Sequence, residues 1–244
     1  MDQGTGPSGG RESDEWAVVA TRLRKVYDTG KVKVDALKDV DLRVRKGEVV
    51  SVMGPSGCGK TTLLNCLSGI DDPTEGTVAI EGHDLAAMSD NERSVHRASR
   101  MGFIFQTYNL FPVLTAVENV EIPLVLTGTH PKRARAKALE MLRTVGLDEW
   151  AGHRPAELSS GQQQRVTLAR ALINDPAIVW ADEPTGMLDS KTALQVLELL
   201  LAMNRARSQT IVMVTHDSKI GERAERVLRM DSGTFVEEYR PRGP

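Results

Sequence analysis

Residues 48–61 read EVVSVMGPSGCGKT, and no other stretch of the 244-residue chain restricts its fold so strongly. The apolar run 48–53 suits a strand buried on both faces, and the following TTLLNCLSG suits a helix. Between them, Gly54-Pro55-Ser56-Gly57-Cys58-Gly59-Lys60-Thr61 satisfies the phosphate-loop pattern G-x-x-x-x-G-K-[ST]. Strand, glycine-rich loop and helix make the first half of a βαβ unit, so an α/β fold with a parallel sheet is expected. Glycines let successive N–H groups point inward, and the helix N-terminus adds partial positive charge, so the loop can cradle a triphosphate. Lys60 is expected to reach the β- and γ-phosphates, Thr61 to offer a hydroxyl to Mg²⁺, and Thr62 beside it to contact ATP.

A second constellation narrows the chemistry. The run 178–183, IVWADE, puts two acids where an apolar strand ends, the edge of a parallel sheet at which ligands bind. Asp182 there can hold Mg²⁺ through water, and Glu183 can orient or deprotonate an attacking water, a role for a carboxylate free of the metal.

Around these motifs, residues 17–23, 40–44, 76–80 and 101–105 read as short strands, and Ser89 with Glu92 forms a capping box that opens a helix. From 107 to about 175 the β-branched runs give way to three helical stretches, a candidate helical subdomain. Thr115 with Glu118 and Ser159 with Gln162 cap two of them, and Pro131 suits the first turn of the other. Strands at 177–181 and 210–215 flank a helix at 190–205. A hairpin across Asp231-Ser232-Gly233 closes the pattern.

Composition excludes several classes. With 31 basic and 33 acidic side chains the net charge is −2, without the positive excess of a nucleic-acid-coating protein, so no nucleic-acid partner is expected. The most apolar helical run, 193–203, is broken by Gln195 and Glu198 and falls short of the roughly 20 residues a bilayer span needs. Residues 1–15 are Gly-, Ser- and acid-rich without a secretory pattern and read as a disordered leader, with 16–244 as the folded domain and a cytoplasmic location. Cys58 reads as a small filler rather than a redox brake, the basic run 132–137 as a solvated helix face, and His83, His96, His130 and His153 lack metal-ligand spacing.

Leu158-Ser159-Ser160-Gly161-Gln162, followed by QQRVTLARAL, resembles LSGGQ, the signature motif of ABC transporter ATPases. The likeness extends over nearly the whole chain. It places Tyr27 at the adenine-stacking position, Gln106 in the Q-loop as a nucleotide and Mg²⁺ contact, Asp189 in the D-loop and His216 as the switch histidine, at a strand end beside the γ-phosphate. Ser159, Gly161 and Gln162 are the signature contacts to ATP. One departure stands out: Ser160 occupies the position of the motif's first glycine. Within the family, residues 102–124 look most like the lipoprotein-release and macrolide-export branch, which includes a cell-division ATPase paired with an FtsX-type permease.

The resemblance implies a phosphate-loop NTPase core, an N-terminal antiparallel β-subdomain and an inserted helical subdomain. It further implies ATP hydrolysis in an ATP-dependent head-to-tail homodimer that powers separate permease subunits, the chain lying peripherally on the cytoplasmic face of the membrane. Export or extraction of lipoprotein, antibiotic or peptide is the expected role. The alternative is a signalling ATPase acting through a division-site permease. Phe111, Val113 and Leu114 either meet the permease or pack within the helical lobe.

Overall fold

The computed structural model describes residues 15–241, so the leader expected over 1–15 lies outside them except for Glu15. Two sheets form. The first is antiparallel, order β2-β1-β4-β5, built from β1 (Trp16–Asp28), β2 (Lys33–Arg45), β4 (Glu75–Ile80) and β5 (His83–Asp84). β1 and β2 are each 13 residues long, well beyond the short strands read at 17–23 and 40–44. β1 continues past a bulge at Arg22, which takes a left-handed φ of 48° while its N–H donates to Asp41 Oδ1. The first half of β2 is mostly exposed, so burial imposes no alternation on it.

The second sheet contains β3 (Val49–Met53), β6 (Met101–Ile104), β7 (Ile178–Asp182), β8 (Thr210–Thr215), β9 (Arg226–Asp231) and β10 (Thr234–Tyr239). Its order is β10-β9-β3-β8-β7-β6, parallel throughout except for the edge strand β10. The β9–β10 hairpin turns through Ser232 and Gly233, both at positive φ, which matches the right-handed strand twist.

Seven α-helices are described: α1 (Lys60–Leu67), α2 (Asp90–Arg100), α3 (Ala116–Leu126), α4 (Pro131–Thr144), α5 (Ser160–Leu172), α6 (Ser190–Arg207) and the single turn α7 (Ser218–Gly221). Capping boxes open α2, α3 and α5 at Ser89, Thr115 and Ser159, each side-chain cap contributing about 1 kcal/mol. Pro131 begins α4, whose basic residues 132–137 are exposed around the buried Ala134. α3, α4 and α5 pack together into the helical lobe. No helix of the described residues is long and apolar enough to cross a membrane.

Strand periodicity divides the core. Val50, Val52, Ile178, Trp180, Val212 and Val214 join α1 and the antiparallel sheet in one cluster. Their neighbours Val49, Val179, Ala181, Ile211 and Met213 join α5, α6 and the helical lobe in the other. The parallel sheet is therefore the middle layer, and each fully buried Val, Ile or Leu in it is worth about 1.5–3 kcal/mol relative to exposure. Parallel register also sends the C-terminal ends of β3, β6, β7 and β8 to one edge. Gly54, Gln106, Glu183 and His216 all follow those ends.

Candidate nucleotide site

At that edge lies a cavity of about 740 Å³ walled by the phosphate loop, Tyr27, Gln106, Glu183 and His216. Gly54, though outside that wall, gives its carbonyl to the loop lysine. Lys60 is buried and its ammonium donates to Gly54 O (2.8 Å) and Pro55 O (2.9 Å), so the loop closes around its own cation. Gly59 precedes α1 with φ 108°, and a Cβ there would stand 2.5 Å from Ala36 O, which leaves glycine as the residue that fits. Unlike α2, α3 and α5, α1 has no side-chain cap on its N-terminal amides, which leaves them available to an anion. Ser56, Gly57, Thr61 and Thr62 complete the cradle. Cys58 is buried beneath the loop and packs into the core, and Cys58 and Cys66 are both free thiols. Burial pushes the Cys66 thiol up to about 11.

The acid pair divides its partners. Asp182 Oδ1 accepts from the Thr61 hydroxyl at 3.2 Å. Glu183 turns away from the strand through a left-handed φ of 47°, a conformation costing about 1–3 kcal/mol for a non-glycine residue. Its Oε1 lies 2.8 Å from His216 Nδ1 and its Oε2 accepts from Thr215 Oγ1 at 3.1 Å. Thr215 is thus a supporting residue that sequence reasoning missed; its only signal is adjacency to His216. Burial raises the Asp182 carboxyl above the ordinary aspartate range, with Glu183 adding to the rise and Thr61 and Lys60 opposing it.

A carboxyl whose folded pKa exceeds its unfolded value contributes full stability below the unfolded pKa and loses it as pH climbs through the folded one. Ionised Asp182 therefore destabilises the nucleotide-free chain at neutral pH. Asp182→Asn should raise the melting temperature there, by a margin that shrinks on acidification through the Asp182 titration. Scanning fluorimetry across that range checks this, and a margin that is absent or grows toward acid pH would contradict it.

Tyr27 lines the cavity with its ring partly exposed. Its hydroxyl donates to Asp71 Oδ2 (2.8 Å), the Lys25 ammonium lies 5.0 Å from the ring centroid, and Lys25 also pairs with Asp71 at 2.6 Å. Asp71 and Lys25 thus fix the ring from one side. Nothing in the local sequence marks them, since Tyr27 and Asp71 are 44 positions apart.

Ser159, Gly161, Gln162 and Asp189 do not line this cavity. They gather where α5 and α6 begin. The Ser159 hydroxyl caps α5 by accepting from Gln162 N (3.3 Å), and Asp189 caps α6 by accepting from Lys191 N and Thr192 N. A Cβ on Gly161 would meet Thr192 Cγ2 at 2.6 Å, so glycine lets the two helix ends approach. Ser160, at the first position of α5, is exposed and not among the residues with positive φ. Its side chain therefore adds no backbone strain.

A family model described as ABC transporter matches residues 37–186. The chain is 45% identical over 231 residues to the lipoprotein-releasing system ATP-binding protein LolD of Xanthomonas campestris pv. campestris, which covers 94% of this chain and 97% of that protein. It is 44% identical over 220 residues to an uncharacterized ABC transporter ATP-binding protein, MJ1508, of Methanocaldococcus jannaschii, covering 90% and 98% of the two chains. Among solved structures, the dimeric post-hydrolysis state of the ATP-binding cassette MJ0796 bound to ADP and Pi is similar with a TM-score of 0.86 at 42% identity, covering 93% of this chain and all of that one. Phosphate loop, acid pair, sheet order and these likenesses agree: the chain belongs to the ABC transporter family and is an ATP-binding, ATP-hydrolysing subunit.

Proposed function

We propose that two copies of this chain close head to tail on ATP and thereby drive a separate membrane permease that extracts or exports a lipoprotein, antibiotic or peptide. The supporting observation is the split site. One cleft gathers the phosphate loop, Tyr27, Gln106, Glu183 and His216, while Ser159, Gly161, Gln162 and Asp189 stand together outside it. In a head-to-tail pair, Ser159 and the α5 dipole of the partner subunit complete the γ-phosphate side of each cleft. Likeness to LolD favours lipoprotein as cargo.

Within the cleft Tyr27 stacks the adenine, the loop amides hold the phosphates, and Lys60 brings its charge to the β- and γ-phosphates. The donor set fits Mg²⁺, because the Thr61 hydroxyl and Asp182 carboxylate lie 3.2 Å apart beside the cradle and this ion usually takes one or two carboxylates plus phosphate oxygens. Thr61, Gln106 and Asp182 would hold it, and when bound it neutralises charge that develops on the phosphate oxygens. Glu183 orients the attacking water and takes its proton, while His216 and Thr215 hold that carboxylate. Cleavage to ADP and phosphate removes the charge that joins the two halves, and the dimer reopens.

The permease would keep the chain on the cytoplasmic face of the membrane. Its docking place is an apolar groove lined by Ile70, Phe103, Phe105 and Leu126, next to a loop that presents Phe111 and Val113 to solvent at 52% and 73% exposure. Buried Asn119 pins that loop, accepting from Phe111 N (2.8 Å) and donating to Phe111 O and Leu114 O. Phe111 is thus held outward rather than packed in the lobe. Reconstituted with the permease encoded beside it, Phe111→Glu should lose permease-stimulated turnover while basal turnover stays within about twofold, since it replaces an aromatic anchor with an unpaired charge. Undiminished stimulation in the variant, or no lipoprotein release by the wild-type pair in ATP-supplied vesicles, would contradict the corresponding part of the reading.

A further inference from the structure

Arg170, in the last turn of α5, donates from one guanidinium nitrogen to Asn109 O (2.6 Å) and from the other to Tyr108 O (2.9 Å). Burial pushes its pKa down to about 10, and among the described residues no carboxylate pairs with it. A cation taken from water against two neutral carbonyls costs stability, so the contact is not explained by energy alone. The carbonyls belong to consecutive residues in the left-handed region, Tyr108 at φ 59° and Asn109 at φ 49°. Asparagine tolerates that conformation, whereas tyrosine adopts it only when its surroundings enforce it.

The turn touches both halves of the split site. Two residues before Tyr108, Gln106 lines the nucleotide cleft, its Nε2 so close to Gly186 that a Cβ there would stand 3.0 Å away. At the other end of α5, the Tyr108 hydroxyl is buried beside Ser160. Burial raises its pKa, the Ser160 side chain offsets part of the rise, and the hydroxyl completes no hydrogen bond of normal geometry. Tyr108 therefore lies along α5, its carbonyl gripped near the helix C-terminus and its ring reaching the signature end.

We propose that Arg170 is a positioning residue that locks the Tyr108–Asn109 turn onto α5, so that Gln106 in the cleft and Ser159 at the signature end move as one body. The inference rests on the reading above, in which Ser159 serves the partner's nucleotide. Arg170 itself lies outside the nucleotide cleft and lines the apolar groove instead.

Arg170→Met removes both donors, and Arg170→Lys keeps the charge but not the fork. In the full-length protein both should lower kcat at least about tenfold, because small misplacements of groups that complete a site are costly. Affinity of the monomer for a fluorescent ATP analogue should stay within about twofold, since the phosphate loop is untouched. Hydrogen exchange without nucleotide should rise both at 105–109 and at 159–163. If Arg170→Met does not fold, Arg170→Lys decides by the same measures. Turnover within about twofold of wild type in the folded variants, or exchange that rises at only one of the two segments, would overturn the proposal. Should wild type itself hydrolyse no ATP, the functional reading fails, and the exchange measurement alone decides the role of Arg170.

Discussion

Glu183→Gln should bind ATP as wild type does and hydrolyse it at least about 100-fold more slowly, the effect expected when a general base is removed. The amide keeps the size of the side chain and an oxygen that can still accept from Thr215, but it cannot take a proton from water. The closed state then has no exit through hydrolysis. Light scattering of the variant with ATP and Mg²⁺ should give twice the monomer mass, falling back to monomer with ADP. Turnover near that of wild type, or a monomer under both conditions, would remove Glu183 from its assigned role.

The second large effect is at the signature. Ser159→Arg should abolish turnover, because in the proposed head-to-tail dimer a long side chain at the exposed start of α5 would fill the space left for the γ-phosphate of the partner's nucleotide. Part of the damage is local, since Ser159 caps α5 and its loss costs about 0.5–2 kcal/mol of stability. Nucleotide binding by the chain's own phosphate loop should survive, which separates a broken composite site from a broken fold. Ser160→Gly is the counterpart. Because Ser160 is exposed and unstrained, its replacement should change turnover by less than about tenfold, or about 1.4 kcal/mol in barrier. A larger gain would show that the serine impairs the natural signature and would point to a second chain supplying the working one.

Features that depend on neighbours in sequence are legible in the sequence itself. The capping boxes at Ser89, Thr115 and Ser159 form as the spacing S/T-x-x-E/Q dictates, because donor and acceptor sit within one turn. The turn at Ser232-Gly233 and the buried runs of β3, β7 and β8 are legible for the same reason. The phosphate loop and the Asp182–Glu183 pair announce themselves because their chemistry needs fixed residues at fixed offsets.

What sequence hides is contact at long range. The outer half of the β1–β2 hairpin is paired through its backbone ladder, with partly exposed Arg24 bridging Asp35 of β2 and Glu75 of β4, and it lacks the apolar alternation that marks a strand. Asp71 steadies Tyr27 from 44 positions away, and Arg170 grips carbonyls 61 and 62 positions upstream. Backbone acceptors carry no residue signature, so such a role stays invisible until the fold brings the partners together. Ser160 is the converse case. Its departure from the family pattern is plain in the sequence, but only its place at the exposed first position of a helix shows why the fold accommodates it.

Each working site, as proposed, is shared between two chains, and complementation tests this directly. Lys60→Ala disables the phosphate loop and Ser159→Arg disables the signature, so each homodimer has two broken sites. In a mixed head-to-tail dimer both defects fall in one site and the other is intact. An equal mixture should therefore recover about a quarter of wild-type turnover, half of the dimers being mixed with one working site of two. A mixture as inactive as either variant alone would contradict the account.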